Sequence, residues 1–337
     1  MHNDSILHSN IQSLVKTSLG ESIISIELLP GAGSNRHYYR VYTAHNSYIV
    51  CNGTQVDENK SFIYLSNHFY NKGLRVPKVY GHTPEFNMYI LQDLGNTDLL
   101  SFKLQSQEHE WLPLYKQALT DIAQFQCKGI EGLDFSHCYA RNEFDSVYMN
   151  WDLSYFKYYY CKLTDIEINE QKLEEDYNTL ISFLLQSPRS FFMYRDFQSR
   201  NIMLHNNELW YIDFQGGMRG ALQYDVVSLL YQAKANFTEK QRNELLEHYL
   251  NQVSKYMYID LQEFKTLYEG FICIRILQTL GAYGYRGIIQ KKPHFIASIP
   301  QALENAKQQC NIVSQIIQIP YLQTLIQQLP LISNTHE

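Results

Sequence analysis

The spacing of apolar residues changes character partway along the chain. Up to about residue 95 the apolar runs are short and rich in Tyr, Val and Ile, as in strands; beyond it they recur every three or four positions, as in helices. Residues 3–19 put Ile6, Ile11, Leu14 and Val15 on one side and stop at Gly20, which predicts an amphipathic helix. Strands are predicted over 23–29, 38–43 and 48–51. A helix is expected over 57–71, started by Asp57 or Asn59 and stopped by Gly73, then two strands over 78–81 and 88–91. The turn Gln92, Asp93, Leu94, Gly95 closes this part, so the division expected is 1–95 and 96–337.

In the second part, helices are predicted over 112–127, 143–163, 170–186, 239–256, 261–280 and 300–317. The 143–163 segment is dense in rings, which reads first as core and secondarily as a wall for a sugar. Glu174, Glu175 and Asp176 are expected on a solvated face. Past Leu280 the run Gly281, Ala282, Tyr283, Gly284, Tyr285, Arg286 loses helical spacing and predicts a loop.

Residues 191–215, FFMYRDFQSRNIMLHNNELWYIDFQ, break the helical pattern. They read as an apolar strand over 191–193, a polar loop over 195–201, and two apolar runs, 202–204 and 209–212, joined by a turn at Asn206 and Asn207. Asp196, Asn201 and Asp213 thereby fall at strand ends. One carboxylate can orient a hydroxyl, while a carboxamide and a second carboxylate can hold magnesium; this is the minimum set for phosphoryl transfer. Each residue alone is an ordinary turn former, so the combination carries the signal.

YRDFQSRN resembles the HRDxxxxN catalytic loop of the protein-kinase-like superfamily, and IDFQ resembles its magnesium-binding DFG. Tyr194 stands where His is usual and Gln215 where Gly is, which points to the small-molecule branch, the aminoglycoside phosphotransferase and choline kinase group. Within it, RDFQSRN, IDFQGGMRGALQYDVVSLL and RILQTLGAYGYRG are most similar to bacterial N-acetylmuramate/N-acetylglucosamine kinases, anomeric sugar kinases of cell-wall recycling. The resemblance implies an α+β bilobal fold, with a small β-rich N-lobe and a larger, mainly helical C-lobe. It implies ATP and Mg2+, with Asp196 serving the acceptor hydroxyl and Asn201 and Asp213 holding the metal.

Further roles follow from the same resemblance. Gln198 occupies the place where many kinases carry a cation, leaving Arg200 to stabilise the γ-phosphate. Gln92 and Leu94 would meet adenine through main-chain atoms. Gly31, Gly33 and Ser34 form either a plain hairpin turn or a phosphate-covering loop, and the motifs downstream favour the loop. Arg286, with Arg275 behind it, either meets an anionic substituent such as the lactyl carboxylate of N-acetylmuramate or supports a surface loop. An aminoglycoside or other small-alcohol acceptor is the alternative; a cationic antibiotic would call for inward-facing acids such as Asp145 or Asp152. Asp225 reads as a helix cap or a buried partner of the catalytic loop, and the glycine-rich 216–220 segment is too short for a phosphorylated activation segment.

The third strand departs from the pattern. Cys51 falls where a kinase-like fold has a phosphate-gripping lysine. Either Lys60, Arg36 or Arg40 substitutes, or the chain binds nucleotide without transferring phosphate. Glu58 reads as a first-turn charge favoured by the helix dipole, or as the acid that positions such a cation.

Whole-chain properties narrow the classes. A net charge of −6 argues against a nucleic-acid partner, and no obligate protein partner is evident. Six scattered cysteines without a CxxC pair suggest neither zinc nor disulfides. With no apolar run of signal-peptide or membrane-span type, the expectation is a cytoplasmic enzyme acting on a small sugar.

Overall fold

A computed structural model describes residues 2–30 and 36–332. Gly31, Gly33 and Ser34 lie outside the described residues. The N-terminal part contains α1 (His2–Leu19), β1 (Ile23–Leu28), β2 (His37–Thr43), β3 (Ser47–Asn52), α2 (Val56–Asn71), β4 (Val79–His82) and β5 (Met88–Gln92). Its five strands form one antiparallel sheet in the order β1-β2-β3-β5-β4. Alternation decides which residues meet which helix. Val41, Val50 and Ile90 join Ile11, Leu14 and Val15 of α1 in a small core, while Cys51, Tyr89 and Leu91 face the other way, into the core that holds Phe62 and Phe69 of α2.

Helices dominate after Gln92: α3 (Leu99–Gln105), α4 (Glu108–Cys127), α5 (Ser146–Tyr159) and α6 (Glu170–Leu184). One short hairpin and one strand pair follow from β6 (Phe191–Met193), β7 (Ile202–His205), β8 (Glu208–Tyr211) and β9 (Met218–Gly220), with β7 paired to β8 and β6 to β9. The β7–β8 turn is made by Asn206 and Asn207, both at positive φ, as a two-residue hairpin requires. The chain continues through α7 (Leu222–Leu230), α8 (Glu239–Val253), α9 (Leu261–Tyr283), α10 (Pro293–Ile296), α11 (Ile299–Val313) and α12 (Pro320–Gln328). Every residue of α7 is buried, so this helix is the axis of the C-lobe. The result is the two-lobed α+β architecture that the sequence implies. Among the described residues no helix is long and apolar enough to cross a membrane.

Several local expectations are corrected. Neither Asp57 nor Asn59 caps α2: Gln55 holds that position without a side-chain bond, and the Asn59 amide donates to Gly53 O and Phe86 O. Helix α4 begins four residues before the predicted start, because Gln107 and Glu110 close a capping box upstream of Pro113. Asp176 is buried rather than solvated, accepting from Leu322 N at the start of α12 at 2.7 Å.

The largest correction concerns residues 281–286. They are helical: α9 runs to Tyr283 and continues as a wide turn of π type over Gly284–Ile289. The glycines are notches for α5 rather than breaks. A Cβ on Gly281 would lie 2.7 Å from the Tyr155 carbonyl, and one on Gly284 would collide with the Tyr159 carbonyl. Close approach of two helices therefore explains the glycine spacing that reads locally as a loop. Gly281→Ala is expected to lower stability by about 1–3 kcal/mol, the usual cost of forcing atoms into a packed interface. A shifted denaturant midpoint at constant slope would show it, whereas an unchanged midpoint would mean that the two helices can part freely.

Candidate active site

The loop between β6 and β7 is fixed from below by a buried acid. Asp225 of α7 accepts from Tyr194 N at 2.8 Å, Arg195 N at 2.9 Å and the Gln126 amide at 3.1 Å. Burial pushes its pKa up to about 7, although these donors pull the other way. Of the two roles open for Asp225, the structure shows the buried partner. Arg195 takes a left-handed backbone (φ 78°), and its guanidinium is buried in a two-pronged pair with Asp152 at 2.5 and 2.7 Å. It also packs over the rings of Phe144, Tyr148 and Tyr224. Asp152 is thus spent inside the protein, and Asp145 caps α5 while pairing with Arg141. Neither acid lines the cleft.

Held this way, the loop brings the three predicted residues together. The Asn201 amide donates to Asp196 O at 2.9 Å and to Asp213 Oδ2 at 3.3 Å. With its nitrogen committed to two acceptors, the carbonyl end of Asn201 is left to meet a cation. Asp213 follows β8 in a left-handed conformation (φ 68°), an outlier of the kind concentrated at functional sites. Its Oδ1 accepts from the Gln215 amide at 2.9 Å. Gln215 is therefore a support for Asp213 and not a mere replacement for glycine, and its own carbonyl is held by Ser61 of α2 at 3.1 Å. Among the described residues there is no cluster of three or more His, Cys, Asp or Glu that would hold a metal unaided. One carboxylate and one carboxamide suit a hard ion such as Mg2+, which retains waters and takes further oxygens from phosphate.

Asp196 faces the cleft with its side chain 44% exposed, and Arg275 of α9 donates to its Oδ1 at 3.3 Å. Burial works against the charge on Asp196, but Arg275, Arg195 and Arg200 outweigh it and hold the carboxyl below its ordinary value. Arg275 is itself buried, bonded to Gln278 at 2.6 Å, so the structure sets it against the acid. Arg200 is exposed at the cleft and acts on Asp196 through charge.

The cleft has a volume of about 760 Å³. One end is bounded by Leu91, Gln92, Leu94, Tyr38 and Ile49 beneath the sheet; Asp196 and Asp213 lie further in. Gln92 N already donates to Lys78 O at 2.9 Å, whereas Leu94 N has no partner among the described residues. Asp93 also lines the cleft, but its carboxylate is occupied, taking two bonds from Arg40 (2.7 and 3.0 Å) and one from Ser47 (2.8 Å). The far end is cationic. Arg200, Lys234 and Arg286 line it beside His294, whose pKa is lowered by burial and then by those cations and Lys292. Arg286 lies over the Phe295 ring at 5.6 Å.

Of the three cations considered for the position of Cys51, Lys60 points outward (side chain 52% exposed) and pairs with Asp57, and Arg40 is engaged at Asp93. Arg36 is buried, 3.5 Å from Glu58 and 3.1 Å from Asp213. Glu58 is therefore more than a first-turn charge. The sequence reading did not single out Asp152 as the partner of Arg195, Gln215 as a support, or Gln232, which binds the Ser199 N–H and hydroxyl. The Arg195–Asp152 and Ser199–Gln232 contacts join residues 43 and 33 positions apart, which no local spacing announces; Gln215 is only two positions from Asp213, but a turn glutamine reads locally as an ordinary polar residue.

Comparison with known proteins bears on the family and the fold. An N-acetylmuramate/N-acetylglucosamine kinase of Neisseria meningitidis is 28% identical over 219 residues, 64% of this chain and 63% of that one. The Pseudomonas aeruginosa protein of the same name is 24% identical over 230 residues, 66% and 65%. The matches thus span just under two thirds of these relatives. Among solved structures, choline kinase from Cryptosporidium parvum superposes with a TM-score of 0.65 at 14% identity, covering 95% of this chain and 99% of that one. Amicoumacin kinase in complex with AMP-PNP, Ca2+ and Ami gives 0.65 at 14% identity, covering 91% and 96%. These two likenesses establish the protein-kinase-like fold. Residues 25–263, well over half of the sequence, match the family model described as "Phosphotransferase enzyme family", and the chain belongs to that family.

Proposed function

We propose that the chain is an ATP-dependent small-molecule kinase that transfers the γ-phosphate to the anomeric hydroxyl of N-acetylmuramate or N-acetylglucosamine. The observation that carries this reading is the meeting of Asp196, Asn201 and Asp213 in one cleft, with cations on the wall beyond them. The names of the two sequence relatives support the acceptor class. ATP as donor assigns the reaction to the cytoplasm.

Phosphoryl transfer passes through a loose transition state, so the protein mainly positions the reactants and balances charge. Asp196, ionised at neutral pH because of its depressed pKa, orients the acceptor hydroxyl and receives its proton. Asn201 and Asp213 would hold Mg2+, which would supply positive charge to balance that on the phosphates. Arg200 meets the γ-phosphate from the exposed rim of the catalytic loop. Leu94 N donates to the adenine edge, and Gln92 lies beside it. Arg275 keeps Asp196 charged and aimed.

The acceptor end favours an anion over a cationic antibiotic. Apart from Asp196, which Arg275 pairs, every acid lining the cleft among the described residues has a partner elsewhere: Asp93 with Arg40, Asp98 as the cap of α3, Glu58 and Asp213 with Arg36. A polycationic acceptor would meet Arg200, Lys234 and Arg286 without compensation. A carboxylate-bearing amino sugar fits them.

The direct test is ADP and sugar-phosphate formation from ATP, Mg2+ and a panel of amino sugars. Asp196→Asn should lose about a hundredfold or more in kcat, the scale of general-base removal; undiminished turnover would refute its role. No turnover on any acceptor, with ATP still bound, would leave a nucleotide-binding module. Arg275→Met removes the largest charge that holds the Asp196 pKa down. The acid limb of kcat/KM, on which activity disappears as pH falls, should therefore move to higher pH; a stationary limb would separate Arg275 from the acid. Arg286→Ala should raise KM for N-acetylmuramate about tenfold while changing N-acetylglucosamine little, as expected for one lost charged hydrogen bond. Equal losses for both sugars would exclude the carboxylate contact.

A further inference from the structure

We propose that Arg36 is the cation that grips the α- and β-phosphates of the nucleotide, delivered from the entrance to β2 in place of a lysine on β3. The inference rests on the reading that the cleft takes ATP, and extends it to a residue outside the catalytic loop.

Cys51 cannot fill that role. Its side chain is fully buried, and burial pushes the thiol pKa up to about 11, so it is neutral. The phenols of Tyr38 and Tyr89 adjoin it. Arg36 enters from the neighbouring strand instead. Its stem passes Gly53, just beyond the end of β3, where a Cβ would lie 3.0 Å from Arg36 Cγ and 2.8 Å from Asn59 Oδ1. A small residue at 51, no side chain at 53 and an arginine at 36 thus form one arrangement, with the cation moved across a strand.

The head group is placed as the role demands. Arg36 Nη2 lies 3.5 Å from Glu58 Oε1 on α2 and 3.1 Å from Asp213 Oδ1, and Arg36 lines the same cleft as Asp196 and Asp213. The guanidinium keeps its charge throughout the working pH range, and Glu58 and Asp213 stand close enough to balance it in its buried position. Glu58 anchors it from the helix side, so the position survives when Asp213 turns its oxygens to a divalent ion. A planar guanidinium can also meet two phosphate oxygens at once, which an ammonium cannot match. Of the other cleft cations, Arg40 is engaged by Asp93 at the lobe junction and Arg275 by Asp196, while Arg200, Lys234 and Arg286 group around His294.

The test measures nucleotide binding and needs no acceptor. Wild type and variants are titrated with Mg-ATP, Mg-ADP and AMP by calorimetry. Arg36→Met should weaken ATP and ADP by about 10–100-fold, the range for losing charged hydrogen bonds, and weaken AMP, which keeps only the α-phosphate, by clearly less. Arg36→Lys should fall between wild type and Arg36→Met. Restoring a cation on β3, in Arg36→Met/Cys51→Lys, should recover at least part of the ADP affinity. Unchanged ATP and ADP binding in Arg36→Met would overturn the proposal. So would an equal loss for AMP, ADP and ATP, which would take the β-phosphate out of the contact. A wild type that binds Mg-ATP but phosphorylates no sugar would refute the acceptor reading and leave this one standing.

Discussion

The site depends on a buried carboxylate bonded to backbone. Asp225 receives the N–H groups of Tyr194 and Arg195, and without it two donors would be stranded in the interior of the C-lobe. This contact ties the catalytic loop to α7, the helix buried on every side, and sustains the left-handed backbone at Arg195. Asp152 then neutralises the Arg195 side chain from α5. Both ends of that residue are satisfied from within, so the loop needs no added phosphate to hold its shape, in keeping with the short 216–220 segment.

A second set of contacts ties the sheet to Asp213. Tyr89, Phe62 and Phe214 stack in succession, with ring centres 5.2 and 4.9 Å apart, joining β5, α2 and the residue after Asp213. Ser61 and Glu58 on the same helix reach Gln215 and Arg36. At the lobe junction the Arg40–Asp93 pair, sheltered and two-pronged, fixes Gln92 and Leu94 against β2 and β3. The two lobes therefore meet through well-packed, directional contacts on both flanks of the cleft.

Charge divides that cleft in two. Where Glu58 and Asp213 surround one guanidinium, acids are in excess; around His294, with Arg200, Lys234 and Arg286, cations outnumber acids. The protein's overall net charge of −6 conceals this local polarity.

Local spacing determined much of this protein. Alternating apolar positions built the strands, helical spacing built the C-lobe, and the order of Asp196, Asn201 and Asp213 around β7 and β8 foretold that three oxygen-bearing side chains would meet, because they lie within 17 positions of one another. Tertiary packing alone decided which cation stands by Asp213, which arginine sets the charge of Asp196, and that Gly281 and Gly284 are notches in a helix. Arg36 and Asp213 are 177 positions apart and Arg275 and Asp196 are 79 apart. Such pairs are fixed by how strands and helices stack, and a glycine that admits a neighbouring helix has the same local signature as one that opens a loop.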